Sequence, residues 1–311
     1  MGGLASLLDG SGGGASASPR PSGTGAIGSP GQTGTPPPEP PVTPAPGTAV
    51  LVGAGDIASC SLDGDAATAT LLDGIEGTVF TAGDNAYEDG SAEDFRDCYA
   101  PTWGRHLTRT RPAAGNHDWR TRDAAGYLGY FGARATNEDG GTWYSYDLGG
   151  WHVVVLDSDC DAVDGCGPGS AQGDWLADDL ATSDARCTAA IWHHPRFSSG
   201  DHGGDTVVDP FWRALYAAGV EIVVNGHDHD YERFAPQDPG GAADDATGIR
   251  EFVVGTGGAA LKGFKTVAAN SLVRASIAHG VLVLTLRTSG YDWRFASVDG
   301  SFRDQGAGGC H

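Results

Sequence analysis

The sequence has no apolar run approaching the ~18 residues that a membrane-crossing helix needs, so no transmembrane span is expected. Positive charge is scarce: 19 basic residues face 40 acidic ones, a formal net charge of −21. A surface this acidic repels nucleic-acid backbones and anionic membranes, which argues against either as a partner. The chain has one methionine, and its six cysteines include no C-x-x-C pair. That absence sets aside a zinc ribbon or a redox dithiol and favours disulfides. Cys160 and Cys166 bracket an Asp/Gly loop as a local staple, while the pairing of Cys60, Cys98, Cys187 and Cys310 stays open. Disulfides point to an oxidising setting, secreted or in the cell envelope. No complete signal peptide is visible, because the run from Leu4 to Leu8 lacks a basic flank and a long apolar stretch.

Residues 1–47 are dominated by Gly, Ser, Pro, Thr and Ala, with Leu4, Leu7, Leu8, Ile27 and Val42 too scattered to form a core. They are expected to be a disordered tail. Its proline-rich second half, Pro36 to Pro46, favours extended polyproline conformations and makes it a candidate tether to the cell envelope. Residues 48–311 suffice for one well-buried catalytic domain and are few for two. Short apolar runs at Ala49–Val52, Thr78–Phe80, His152–Leu156, Ala189–Trp192, Ile222–Val224, Phe252–Val254 and Val281–Leu286 read as buried strands. Helical patterns lie between them at Asp65–Leu72, Ala92–Tyr99, Arg122–Tyr130, Ala171–Leu180 and Pro210–Ala218, the last with Asp209 as N-cap. The alternation argues for α/β layering. From Phe252 to Val298 the helices thin out and hairpin-connected strands are expected, so mixed or stacked sheets fit better than a purely parallel one.

Four of these strands run into Asp or His, three of them beside Gly, at Gly55-Asp56, Gly83-Asp84, His193-His194-Pro195 and Gly226-His227-Asp228-His229, and Arg111 leads to a fifth motif, Gly115-Asn116-His117-Asp118. In layered α/β folds ligands bind outside the carboxyl ends of strands, so these loops can converge on one crevice. Carboxylates, an amide oxygen and neutral imidazoles suit borderline metals such as Fe, Zn and Mn. Asp84 has two oxygens with which to bridge two ions. His227 and His229, two apart in an extended segment, share a face; the adjacent Asn116 and His117 do not, which divides them into a ligand and an acid, base or hydrogen-bond donor. Singly, each residue has an ordinary explanation as a turn, a cap or a core side chain. Five such motifs in order do not.

Gly-Asp, Gly-Asp-x-x-Tyr, Gly-Asn-His-Asp, a strand ending in His, and Gly-His-x-His resemble the ordered motifs of calcineurin-like metallophosphoesterases. Tyr87, three residues after Asp84, resembles the purple acid phosphatase branch. Typical members of the wider family have Asp-x-His in the first motif, where this chain has Asp56-Ile57-Ala58. Tyr87 fills the vacancy, since a phenolate is a hard anionic donor suited to Fe(III). The resemblance implies a layered α/β/β/α sandwich with mixed sheets. It implies one ion held by Asp56, Asp84, Tyr87 and His229, taken as Fe(III), and a second, Fe(II), Zn(II) or Mn(II), held by Asp84, Asn116, His193 and His227. About +5 of metal charge against three anionic ligands leaves roughly +2 to attract phosphate in an acidic protein.

The implied reaction is hydrolysis of a small phosphomonoester by in-line attack of a metal-bound hydroxide. His117 and His202 are the candidate proton donors. The family often has a second His after the position of His202, and here that residue is Gly203. His194, Arg196 and Arg233 are candidate substrate contacts, with a surface ion pair the plain alternative for the two arginines. A phosphodiesterase or nucleotide pyrophosphatase would use the same site. A non-catalytic exported binding protein, stabilised by its metals, is the reading from another class.

Overall fold

The computed structural model describes residues 47–311, so the tail expected at 1–47 lies outside them apart from Gly47. From the amino end come β1 (Ala49–Ala54), β2 (Ala58–Ser59), α1 (Gly64–Asp73), β3 (Thr78–Ala82), β4 (Ala86–Tyr87), α2 (Ala92–Asp94, continued by a π-turn over Phe95–Tyr99) and β5 (Thr110–Ala113). A connection carrying α3 (Ala125–Phe131) leads to the hairpin of β6 (Tyr144–Leu148) and β7 (Trp151–Val155). Then follow α4 (Ala171–Thr182), β8 (Cys187–Ile191), α5 (Asp209–Ala217), β9 (Ile222–Asn225), β10 (Tyr231–Phe234) and β11 (Arg250–Val254). The last elements are β12 (Ser271–Ala275), β13 (Gly280–Arg287), β14 (Gly290–Ser297) and β15 (Gln305–Gly309).

Two mixed sheets result. One runs β15-β14-β13-β1-β3-β5, the other β12-β10-β11-β9-β8-β7-β6, and β2 pairs with β4. The strands β1, β3 and β5 are mutually parallel, as are β7, β8, β9 and β11. Successive side chains of a strand face opposite ways, and the apolar residues sort accordingly. Val153, Val155, Ala189, Ile191, Ile222 and Val224 join a core shared with β1, β3 and β13, whereas Val154, Ala190, Trp192 and Val223 pack with Leu176 of α4 and Phe211, Trp212 and Leu215 of α5. The near-continuous apolar runs of β7, β8 and β9 thus reflect strands covered on both faces. On the other sheet, α1 packs against β13. The α/β layering with mixed sheets is the one expected. Among the described residues no helix is long and apolar enough to cross a membrane.

Three expectations need revision. The stretch from Phe252 to Val298 is not a run of hairpins: β11 pairs in parallel with β9, β12 pairs with β10, and only β13 with β14 forms a hairpin. The segment between β11 and β12 has to cross beneath the strand-end loops, where Gly255 and Gly257 approach Asp228 and Gly55 too closely for a Cβ. Asp209 does not cap α5; Val208 holds the cap position, and the Asp209 carboxylate accepts from Arg196 and Arg213 instead. The helix at Arg122–Tyr130 is interrupted, with Asp123 and Ala124 in the left-handed region before α3 begins. The cysteines pair as Cys60–Cys98, Cys160–Cys166 and Cys187–Cys310, the second being the expected staple.

Candidate metal centre

The parallel strands β1, β3 and β5 of one sheet and β8 and β9 of the other all end at one place. Just past their carboxyl ends stand Asp56, Asp84, Asn116, His193 and His227. The sheets are joined there by polar contacts: His193 Nδ1 bonds to the carbonyl of Ala82, the His227 N–H donates to Asp56 Oδ2, and the Gly55 N–H donates to the Val254 carbonyl. The backbone is bent sharply to present these side chains. Asp56, Asp84 and His227 have φ of 59°, 50° and 70°, a region that non-glycine residues seldom occupy and that clusters at functional sites. Gly83, at φ +82°, makes the turn possible; a Cβ on it would stand 2.4 Å from His193 Nδ1.

All seven expected ligands lie together. Tyr87 Oη is 2.8 Å from Asp56 Oδ1, 3.1 Å from Asp84 Oδ2 and 3.3 Å from His229 Nε2. On the other side, His193 Nε2 is 3.4 Å from Asp84 Oδ2, 3.2 Å from Asn116 Oδ1 and 3.3 Å from His227 Nδ1. Asp84 belongs to both groups, so its carboxylate is the shared element. The imidazoles are oriented from outside: with Nδ1–H donated to Ala82 O by His193 and to Ala260 O by His229, each turns its Nε2 inward. Oxygen and imidazole donors at these separations fit a pair of borderline or hard metal ions.

Protons and carboxylates share this space in the metal-free protein. Burial alone would raise Asp84, but the charge and hydrogen bond of His193 hold its carboxyl far below the usual range. Burial would lower His193, yet Asp84 and Asp56 push it up to about 10. His227 is driven well down by burial and then by His193. Because His193 holds its proton in the folded state but not in the unfolded one above about 6.5, its stabilisation is complete below that pH and lost as pH rises to about 10. His229 acts in the same sense through Asp56, opposing burial, and His152 through its bond to Asp179. The carboxyls of Asp159 and Asp230, pushed up by burial to about 8 and about 9, also favour the folded state less as pH rises. Thermal melts of metal-free protein should therefore show Tm falling between about pH 6.5 and 10, and metal should relieve the His193 and His229 part of the slope. A flat profile without metal would mean that His193 is not charged between its two aspartates.

His117 and His202 line a cavity of about 520 Å³ together with Asp84, Tyr87, Asn116, His227 and His229. The His117 N–H donates to Asp84 Oδ1 and its ring packs 4.4 Å from Tyr87. His202 stacks 4.4 Å from His227, its loop held by Asp228, which accepts from the N–H groups of His202 and Gly203 and from Ser198 Oγ. His194 packs 4.3 Å from His227 and bonds to Ser158 Oγ. The two arginine candidates are committed elsewhere: Arg196 pairs with Asp209 and lies over Phe197, while Arg233 pairs with Asp304 and lies over Trp293. The cavity's cations are instead Arg120 and Lys262, which lie outside every motif. Of the acids adjoining ligands, Asp118 accepts from Asn85 and Gly115 rather than orienting an imidazole.

Residues 51–231 match the family model of calcineurin-like phosphoesterases. Purple acid phosphatase 18 of Arabidopsis thaliana is 33% identical over 124 residues, 37% of this chain and 26% of that protein. Acid phosphatase A of Cryphonectria parasitica is 28% identical over 156 residues, 41% of this chain and 30% of its own length. The chain thus aligns with about a quarter to a third of these curated relatives. Among solved structures, a purple acid phosphatase from yellow lupin superposes with TM-score 0.65 at 20% identity, covering 85% of this chain and 55% of its own. GAP50, an anchor in the Plasmodium inner membrane complex, gives 0.60 at 16% identity, over 83% and 88%. At such identities the likeness is one of fold.

Proposed function

Because the chain belongs to the calcineurin-like phosphoesterase family, we propose that it is a two-metal phosphatase of the purple acid phosphatase type, acting on small phosphomonoesters. The observation that carries this reading is the convergence of Asp56, Asp84, Tyr87, Asn116, His193, His227 and His229 at one place, where Asp84, Tyr87, Asn116, His227 and His229 line a cavity together with two further imidazoles. A purely structural metal site would be closed and would have no use for His117 and His202. Asp56, Asp84, Tyr87 and His229 would hold one ion, Fe(III), and Asp84, Asn116, His193 and His227 the other, Fe(II), Zn(II) or Mn(II). When bound, the ions would lower the pKa of water and stabilise charge on the phosphoryl oxygens. Three disulfides support a secreted or envelope-exposed setting, with residues 1–47 as a stalk.

The protein's own part is orientation and proton transfer. Burial and then the nearby Lys262 ammonium hold His202 below its ordinary pKa, so it carries a transferable proton in acid rather than at neutrality. His117 donates from Nδ1 to the Glu88 carbonyl, which leaves Nε2 as an acceptor facing Arg120. His202 Nε2 faces the Lys262 ammonium at 2.9 Å in the same way, so the two imidazoles are told apart by substitution. His202→Ala should lower kcat for an alkyl phosphate by about a hundredfold and for p-nitrophenyl phosphate far less, because nitrophenolate leaves without a proton. Equal losses on both substrates would remove His202 from leaving-group protonation. The reading itself is tested by metal content, visible absorption and p-nitrophenyl phosphate hydrolysis of the purified protein; folded, metal-replete protein inert toward phosphomonoesters would sink it. Turnover of bis(p-nitrophenyl) phosphate in excess of the monoester would shift it to a diesterase.

A further inference from the structure

The chain has only two lysines, Lys262 and Lys265, and both lie in the segment that passes the candidate centre. Their tasks differ. Lys265 is a tether: Nζ donates to the Asp201 carbonyl and pairs with its carboxylate at 3.1 Å, and its N–H donates to the Ser199 carbonyl. Lys262 is fixed by its backbone, whose N–H donates to the His229 carbonyl, and its side chain enters the cavity. There Nζ donates to His202 Nε2 at 2.9 Å. No carboxylate of the described residues forms an ion pair with it, although the chain has 40 acidic residues against 19 basic. Arg120, the cavity's other cation, by contrast pairs with the Asp89 carboxylate at 3.6 Å and donates to the Glu88 carbonyl.

We propose that Lys262 is a specificity-determining residue that selects phosphate esters bearing a second anionic group on the leaving side. The inference rests on the phosphatase reading above. The Lys262 ammonium contacts His202, which stacks on His227, so it stands one side chain beyond the candidate ligands. A phosphate held at the centre would fall to the metals and the two cavity imidazoles. A carboxylate or second phosphate a few bonds away reaches Lys262, where it exchanges a neutral imidazole partner for a charged one and gains a charge-assisted hydrogen bond. Leu62, Ala259 and Ala260 also line the cavity and are uncharged, while Asp201, the acid nearest along the His202 loop, is paired with Lys265.

The probes are inorganic phosphate and inorganic pyrophosphate, titrated calorimetrically into metal-loaded wild type, Lys262→Ala and Lys262→Arg, with p-nitrophenyl phosphate hydrolysis measured alongside. Wild type should bind pyrophosphate at least about tenfold more tightly than phosphate, Lys262→Ala should bring that ratio toward one, and Lys262→Arg should restore most of it. A ratio unchanged in Lys262→Ala, or equal weakening of both anions, assigns Lys262 to holding the His202 loop and overturns the proposal. If p-nitrophenyl phosphate is hydrolysed while the ratio does not respond, only this inference falls. If wild type neither binds phosphate nor hydrolyses the ester, the phosphatase reading falls and this inference with it.

Discussion

Asp84→Asn is expected to lower p-nitrophenyl phosphate turnover by at least about 10³, since removal of a single charge-stabilising donor already costs about 10²–10³ and Asp84 serves both halves of the centre. The substitution is close to isosteric, and asparagine tolerates the left-handed conformation that Asp84 adopts at φ 50°. The backbone turn should survive. What changes is the chemistry of two oxygens. Oδ1 accepts the His117 N–H at 2.8 Å, and Oδ2 accepts from Tyr87 Oη at 3.1 Å while standing 3.4 Å from His193 Nε2. An amide can satisfy one of these sides and must turn an NH2 toward donors on the other, besides removing the charge that holds His193 protonated. Metal content and rate should fall together, with the thermal transition still cooperative. A variant that keeps the wild-type rate would assign the activity to a contaminant, and the fold to a binding role.

The aspartates, the asparagine and the histidines of the centre were legible because each is a local signal: a polar residue where an apolar run stops, beside glycine at Asp56, Asp84, Asn116 and His227. The layers were legible for a related reason, since Val153-Val154-Val155 and Ala189-Ala190-Ile191 read as buried strands, and in the structure they are covered on both faces. What stayed hidden depends on partners far along the chain. Arg233 follows Gly-His-x-His and invites a role in phosphate binding, but Asp304, 71 residues away, claims its guanidinium. Arg196 is likewise claimed by Asp209, which also removes Asp209 from its expected capping role. The strand β13 enters the sheet between β1 and β14, a long-range pairing that no local pattern specifies. Lys262 left only a compositional trace. Its neighbourhood carries no motif, and its meaning depends on His202, 60 residues earlier.

Tyr87→Phe should abolish the visible absorption of an iron-loaded protein and lower its affinity for Fe(III) by more than the about 10–100-fold lost with an outer-sphere partner. It isolates the residue on which the identity of the first metal depends. In the metal-free protein Tyr87 is a buried phenol. Burial first, then the charges of Asp56 and Asp84 beside it, push its pKa well above the ordinary value for tyrosine, and its O–H donates to Asp56 Oδ1 at 2.8 Å. A phenol held so firmly can serve as an anionic ligand only if an incoming ion displaces its proton, and a trivalent ion between the same carboxylates has the charge to do so. Loading should then release one proton more from wild type than from Tyr87→Phe, and the affinity difference should widen by about tenfold per pH unit. Proton release can be followed in weakly buffered solution without reference to turnover. Equal proton counts with the colour retained would make Tyr87 a hydrogen-bond donor that steadies Asp56, and would leave the missing imidazole of the first motif without a substitute. Loss of both would tie Fe(III) to this one phenolate, since Phe preserves the packing against His117 and His229 and removes only the oxygen.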